Sequence, residues 1–179
     1  MRLAATLSCA LAAFALVSWS PPPSTSSGGS FQANALSGCM NQWLFNGVWR
    51  VRVVSVSPIT KEAVNYPGYA VTIQARNGSH ATTSWAYSAV SDPTLVLSDG
   101  TVLELDTDAA IAWHPNYYKD IPQSAGFTNT LNYYMDSKVD SPPKPAKVLI
   151  GIDPTKEGSS APRYTTKTPS LRVDLTCTK

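Results

Sequence analysis

Apolar and polar residues alternate along several segments of this chain of 179 residues, and this alternation limits the possible folds more than any other feature. In the segment 69–76, every second residue is apolar or aromatic, and the residues between them are mostly polar. The apolar set is Tyr69, Val71, Ile73 and Ala75. A period of two residues is expected of a β-strand that buries one face. Beyond the N-terminal region, no segment shows a long apolar period of 3.6 residues, so the sequence predicts an all-β domain.

The same alternation occurs near both ends of this domain. Trp and Val alternate with Arg over 49–53, and the phase slips between Val53 and Val54, which predicts a β-bulge. Over 171–176, Leu and Val again alternate with polar residues. Cys177 continues the apolar phase, so we expect its sulfur to point towards the core. Further strands are predicted at 94–97, 101–105, 130–135 and 147–152.

Turn-forming residues separate the predicted strands, and two of the predicted turns are the Tyr-Pro-Gly segment 66–68 and the Ser-Pro-Pro segment 141–143. The Ser-Asp-Gly segment 98–100 lies between two short strands and predicts a hairpin. The Asn-Gly-Ser segment 77–79 predicts a turn rather than a glycosylation site. Seven to eight short strands joined by such turns indicate a β-sandwich or a barrel, and an antiparallel sandwich explains why each strand has one apolar face. Trp43, Trp49 and Trp85 are expected to pack within it.

The first 35 residues have the composition of an export leader. Arg2 precedes an apolar stretch over 3–19, which is short for a membrane span of about 20 residues, and a Pro-rich and Ser/Gly-rich stretch follows to Ser30. Cleavage is expected after Ala35, which would leave a domain of residues 36–179. The alternative is an uncleaved leader that anchors the protein. We expect attachment to a membrane only through such a leader. The protein is therefore expected to be secreted, periplasmic or at the cell surface.

The cysteines predict one disulfide. Cys9 lies inside the apolar stretch and is assigned to the leader, which leaves Cys39 and Cys177. An even number of cysteines in an exported chain favours a disulfide. The pair encloses nearly the whole domain, and the chain-entropy model assigns a loop of this length about 5 kcal/mol of stabilisation.

The order of these strands resembles a known family. A strand over 45–53 is followed by a strand over 68–77 that ends in Asn, by a Leu…Asp-Gly hairpin over 95–100, and by late strands over 131–135 and 148–152. This order resembles the secreted bacterial immunoglobulin-like domains of unknown function and is similar in layout to the mycobacterial immunoprotective extracellular antigens. The resemblance implies an immunoglobulin-like sandwich, an exported location and an adhesion, antigen or chaperone-like role, with no catalytic residue to transfer.

Charge and motifs argue against several functional classes. The net charge is +2 and the 14 basic residues are scattered, so no nucleic-acid partner is expected. The two histidines, His80 and His114, are far apart in sequence, so no metal ion or other cofactor is expected. Asp106 and Asp108 do not match a calcium-binding loop. No Gly-x-Ser-x-Gly motif occurs, and no carboxylate pair stands out, so the chain is not expected to be an enzyme.

The most unusual local composition is an aromatic segment over 113–118, which we interpret as a loop. Aromatic side chains with polar tips are frequent at recognition surfaces. The candidate binding residues are Trp113, His114, Tyr117 and Tyr118. The structural alternative is that Trp113 caps the sandwich and the tyrosines cover its rim.

Three hypotheses for the function follow from the sequence. The first is an exported, non-enzymatic domain that binds an unknown protein or glycan partner or contributes to the cell envelope. The second is a carbohydrate-binding module that uses the aromatic segment. The third is a secreted hydrolase with an unrecognised site, which a cleft with two convergent carboxylates would favour.

Overall fold

Two β-sheets pack face to face in this chain, for which a computed structural model describes residues 35–153 and 163–179. The predicted leader, except for Ala35, lies outside the described residues. The strands are β1 (Leu36–Met40), β2 (Leu44–Phe45), β3 (Trp49–Lys61), β4 (Tyr66–Asn77), β5 (Thr94–Leu97), β6 (Val102–Leu103), β7 (Gly126–Tyr134), β8 (Pro145–Ile150) and β9 (Leu171–Thr178). A helix, α1 (Thr107–Tyr117), and a 3-10 turn (Ala86–Ser88) interrupt this order.

The sheets have the strand orders β1-β9-β8-β5-β6 and β2-β3-β4-β7. The predicted β-sandwich is confirmed, but one strand pair is not antiparallel. β1 runs parallel to β9, with Leu36 opposite Leu171. A parallel pair needs a long crossover connection, and here nearly the whole domain lies between the two strands.

The alternation over β3 and β4 is confirmed. Val71, Ile73 and Ala75 are buried, while Arg76 is exposed and Gln74 is half-buried. The register between β3 and β4 shifts between Val53 and Ser55, so the predicted bulge is also confirmed. The extra residue lets the strand resume the correct phase after the slip.

The turns predicted at 98–100 and 77–79 are confirmed, whereas the turn predicted at 66–68 is wrong, because β4 already begins at Tyr66. β5 and β6 form the hairpin around 98–100, and Gly100 at its tip has a φ of +91° that favours glycine. At the second turn, the buried Asn77 side chain accepts hydrogen bonds from the backbone N–H of Ser79 at 2.9 Å and from its hydroxyl at 2.6 Å. This turn is therefore held by the Asn77 side chain.

Aromatic side chains form the centre of one part of the core. The Trp85 ring contacts three neighbours, with ring centroids 5.2 Å from Trp49, 5.7 Å from Trp113 and 5.8 Å from Phe127. Trp49 and Trp85 are buried as predicted. The prediction for Trp43 is wrong, because its neighbour Leu44 occupies the buried position and Trp43 therefore lies half-buried on the outer face.

The predicted aromatic loop is in fact helical, since α1 includes Trp113, His114 and Tyr117. Asp106 caps the start of α1 by accepting a hydrogen bond from the backbone N–H of Asp108. Of the helical residues, Trp113 alone is buried, so the helix has no broad apolar stripe. This narrow contact, together with Pro115 inside the helix, explains why no period of 3.6 residues was visible in the sequence.

The predicted disulfide between Cys39 and Cys177 is confirmed, and the two Cα atoms are 5.1 Å apart. It links β1 to β9, the first and last strands. Cys177 shares the phase of Leu175, but both residues are half-buried, so the sulfur lies near the edge of the sheet and not deep in the core. The edge position follows from β1, which is the outermost strand of its sheet.

We expect replacement of both cysteines by serine to lower the free energy of unfolding by roughly 2–5 kcal/mol, because the unfolded chain regains the freedom of a very long loop. Equilibrium unfolding in urea measures the change. Addition of a thiol reductant should destabilise the wild-type protein and leave the double variant unaffected. Equal urea midpoints for the two proteins would show that the disulfide does not stabilise the fold.

Candidate functional site

The described residues, 35–153 and 163–179, contain no group of three or more His, Cys, Asp or Glu side chains placed to hold a metal ion. His80 and His114 are both exposed and lie on separate segments. Within the same ranges, none of the helical segments has the length and apolar character needed to cross a bilayer.

A groove of about 590 Å³ beside the β5–β6 hairpin carries three carboxylates, those of Asp99, Glu104 and Asp136. The Asp99 carboxylate accepts hydrogen bonds from the backbone N–H of Thr101 at 2.9 Å and from its hydroxyl at 3.0 Å. Both bonds lower the pKa of Asp99, and the bond from the backbone N–H has the larger effect. A glycosidase needs a carboxyl group with a raised pKa as its general acid, so Asp99 does not fit this role.

Asp106, the acidic residue directly before α1, has a structural role. Asp106 accepts the hydrogen bond that caps the helix and forms an ion pair with Lys61, whose Nζ lies 2.6 Å from Oδ1. The hydrogen bond to Asp106 is the main cause of a raised pKa for Lys61. The carboxylate of Asp106 therefore joins the helix start to the end of β3.

Two of the four predicted binding residues are anchors of α1. Trp113 is 1% exposed, and its indole Nε1 donates a hydrogen bond to Oδ1 of Asp92 at 2.9 Å. The hydroxyl of Tyr117, a half-buried residue, donates to the backbone oxygen of Val90 at 3.0 Å. Burial raises the pKa of Tyr117, and Asp92 and Tyr118 raise it further. These contacts fix the helix on the sandwich and leave Trp113 no surface for a ligand.

The other two predicted residues lie on the solvent side of α1. Tyr118 is 61% exposed, and His114 is also exposed. Ile111, which sequence reasoning missed, is 64% exposed on the same helix, and Pro115 is exposed between them. Positions 111, 115 and 118 are spaced by one helical turn each and form one side of the helix. We call Ile111, His114, Pro115 and Tyr118 the α1 ridge.

The rings near the α1 ridge meet edge to face. The Tyr118 ring lies 5.0 Å from that of Tyr117 and 6.0 Å from that of His114, with interplanar angles of 76° in both cases. Coplanar rings, which would favour stacking of a sugar, are therefore not formed by these three side chains. The surface is a raised aromatic edge.

A second surface, absent from the sequence-based predictions, lies on the outer face of the β2-β3-β4-β7 sheet. The guanidinium carbon of Arg50 lies 4.7 Å from the centroid of the Phe45 ring. Those of Arg52 and Arg76 lie 4.6 Å and 5.3 Å from the Trp43 ring. We call these five residues the arginine face.

The register of the sheet places these side chains together. Phe45 is opposite Arg50, and Arg50 is opposite Arg76. The sequence signal was that Arg50, Arg52 and Arg76 occupy the polar phase of their strands. Their proximity was not visible because the pairing of β3 with β4 was not known.

No protein-family model and no curated protein matches this chain. Among solved structures, the chain is similar to MPT63, a secreted protein from Mycobacterium tuberculosis, with 15% identity, coverage of 80% of this chain and 98% of that one, and a TM-score of 0.48. It is also similar to a candidate lipoprotein, ycdA, from Bacillus subtilis, with 13% identity, coverage of 73% and 37%, and a TM-score of 0.42. Neither similarity identifies a function for this chain.

We expect the variant Trp113→Ala to lose about 3–5 kcal/mol of stability, because it empties a site in the aromatic core. The matched variant Tyr118→Ala removes an exposed ring and should change stability by no more than about 0.5 kcal/mol. Urea unfolding of both variants measures this difference. Similar losses for the two variants would contradict the assignment of Trp113 to the core and Tyr118 to the surface.

The variant Asp106→Ala removes the helix cap and should destabilise the domain by about 1 kcal/mol. Asp106→Asn keeps a capping oxygen and should unfold close to the wild-type temperature, because the Lys61 side chain is partly exposed and solvent weakens the ion pair. Since the pKa of Lys61 is raised in the folded protein, any stability from this pair is present at neutral pH and lost as the pH rises through that raised pKa. Thermal melts at neutral pH and above pH 11 check both points, and an asparagine variant as unstable as the alanine variant would contradict the capping role.

Proposed function

We propose that this chain is an exported, non-enzymatic domain that binds a partner protein through the α1 ridge and acts outside the cell or in the cell envelope. Two features support export. The N-terminal sequence has the composition of a leader, and a disulfide joins Cys39 and Cys177. Disulfides of this kind persist in oxidising compartments outside the cytoplasm. The resemblance to secreted immunoglobulin-like domains points to the same location.

The observation that carries the binding proposal is the exposure of large apolar side chains on a fixed helix. Ile111 and Tyr118 are 64% and 61% exposed on the same side of α1. Exposed apolar side chains that adjoin one another mark interaction sites more often than isolated ones. Tyrosine is also among the residues that contribute most to the binding energy of protein interfaces.

The helix is also held in place before any partner binds. The Asp106 cap, the bond from Trp113 to Asp92 and the bond from Tyr117 to Val90 fix α1 at its start, middle and end. A surface with a fixed backbone loses less conformational entropy on binding, which increases affinity.

The shape of the ridge favours a protein over a sugar. Stacking of a sugar ring needs an open, flat aromatic face, whereas Tyr117, Tyr118 and His114 meet at steep angles. A raised aromatic edge with Ile111 beside it fits an apolar groove of a folded protein, in the way that helices commonly dock. A carbohydrate ligand at this ridge is the alternative.

A photo-crosslinking amino acid at position 111 of the full chain, expressed in its own cells, tests the proposal. We expect a discrete protein adduct, which the additional variant Tyr118→Ala should abolish. The control is the same probe at position 102, where Val102 is 56% exposed on strand β6 instead of α1 and no adduct is expected. With the purified partner, titration calorimetry should show about tenfold weaker binding for Tyr118→Ala.

Two results would contradict this proposal. An adduct that forms equally at positions 111 and 102 would indicate non-specific capture. Absence of an adduct, together with binding of a neutral glycan that Tyr118→Ala abolishes, would favour the carbohydrate alternative.

A further inference from the structure

The arginine face combines like charges without a neutralising carboxylate. Arg50 and Arg76 occupy directly opposite positions on β3 and β4, and Arg52 follows on the same face. Within the described ranges, no carboxylate lies within ion-pairing distance of these three arginines. Like charges directly opposite each other destabilise a strand pair. An anionic group that binds between the guanidinium groups reduces this repulsion.

The aromatic rings orient the arginines without occupying their N–H groups. Arg52 uses its Nε to donate to the side-chain oxygen of Gln74 at 2.8 Å. A guanidinium group lying over an aromatic ring is held in a plane without using its N–H groups. Arginine forks arranged in this way suit carboxylate or sulfate groups, which accept two hydrogen bonds at once.

The same geometry argues against a nucleic-acid ligand. Single-stranded nucleic acids bind sheet surfaces by stacking their bases on exposed aromatic rings. Here a guanidinium group already lies over the ring of Trp43 and another over the ring of Phe45, where a base would stack. What the face offers is therefore a set of hydrogen-bond donors with positive charge.

A row of uncharged polar side chains continues from the arginines across the same outer face. In the register of the sheet, Arg52 is opposite Gln74 and Gln74 is opposite Thr128. In the next row, the hydroxyl oxygens of Thr72 and Thr130 lie 3.0 Å apart and are exposed. Hydroxyl and amide groups of this kind form hydrogen bonds with the hydroxyl groups of sugars.

From these two neighbouring sets of side chains, we propose that the arginine face binds an acidic polysaccharide that carries carboxylate or sulfate groups. The anionic groups pair with Arg50, Arg52 and Arg76, and sugar hydroxyls contact the Gln74 and threonine rows. The site shares no residue with the α1 ridge, so it does not depend on the partner protein proposed above. It gives an exported domain a means of retention at an anionic surface layer.

Titration calorimetry of the exported protein with an alginate hexasaccharide and a heparin hexasaccharide tests this site, with maltohexaose as the neutral control. We expect at least one acidic sugar to bind and maltohexaose not to bind. The double variant Arg50→Gln/Arg76→Gln should bind about tenfold more weakly. The matched variant Lys138→Gln/Lys144→Gln loses the same charge from two exposed lysines and should bind within about twofold of wild type.

Further measurements distinguish a site that depends on arginine geometry from attraction by positive charge alone. Arg50→Lys/Arg76→Lys keeps both charges but loses the forked donors, and should still bind several times more weakly than wild type. Arg50→Gln/Arg76→Gln should unfold at or above the wild-type temperature, because it removes a like-charge pair from the surface, and Arg50→Lys/Arg76→Lys should unfold close to the wild-type temperature, because it keeps both charges.

The proposal is overturned if neither acidic hexasaccharide binds. It is also overturned if Lys138→Gln/Lys144→Gln weakens binding as much as Arg50→Gln/Arg76→Gln does. A third contradicting result is a single-stranded DNA of matched charge that binds more tightly than both sugars. A large loss of thermal stability in Arg50→Lys/Arg76→Lys would likewise overturn it, because the arginines would then serve the fold.

Discussion

The alternation of side chains along β3 and β4 is the constraint on which the rest of this structure depends. On one face, these two long strands place Trp49, Val51, Val71 and Ile73 in the core. The same alternation places Arg50, Arg52 and Arg76 on the other face, where Arg50 and Arg76 are exposed and Arg52 is half-buried. The bulge after Val53 lets both faces stay in phase along the strand. Core and arginine face are therefore two consequences of one pattern.

The first and last strands and helix α1 are held in place by separate contacts. The disulfide fixes β1 beside β9, so the edge of the five-stranded sheet is held covalently as well as by hydrogen bonds. Trp113 inserts from α1 into the aromatic cluster around Trp85 and holds the middle of the helix, while the Asp106 cap and the bond from Tyr117 to Val90 hold its ends. The exposed residues of the α1 ridge are thus presented by a contact that is itself part of the core.

Local patterns predicted strands β3 to β9, the bulge, the turns at 77–79 and 98–100 and the disulfide, because each depends on neighbouring residues or on a simple count. Strand β1 was not predicted. The sequence did not predict features that depend on pairing between distant segments. The parallel arrangement of β1 and β9 is one such feature, and the meeting of Arg50 with Arg76 is another. Helix α1 was missed for a different reason, since one buried residue and an internal proline leave no helical period. Trp43 was misplaced because its large apolar ring outweighed its phase relative to Leu44.

The outward-facing arginines of β3 and β4 are the centre of the binding surface that we infer. Side-chain NMR spectra of the arginine Nε–Hε groups, recorded while an alginate hexasaccharide is added, test this claim residue by residue. We expect the signals of Arg50, Arg52 and Arg76 to shift together and saturate, while the signal of Arg172, on β9 of the other sheet, stays in place. Equal shifts at Arg172, or unchanged signals at all three arginines of the face, would contradict it.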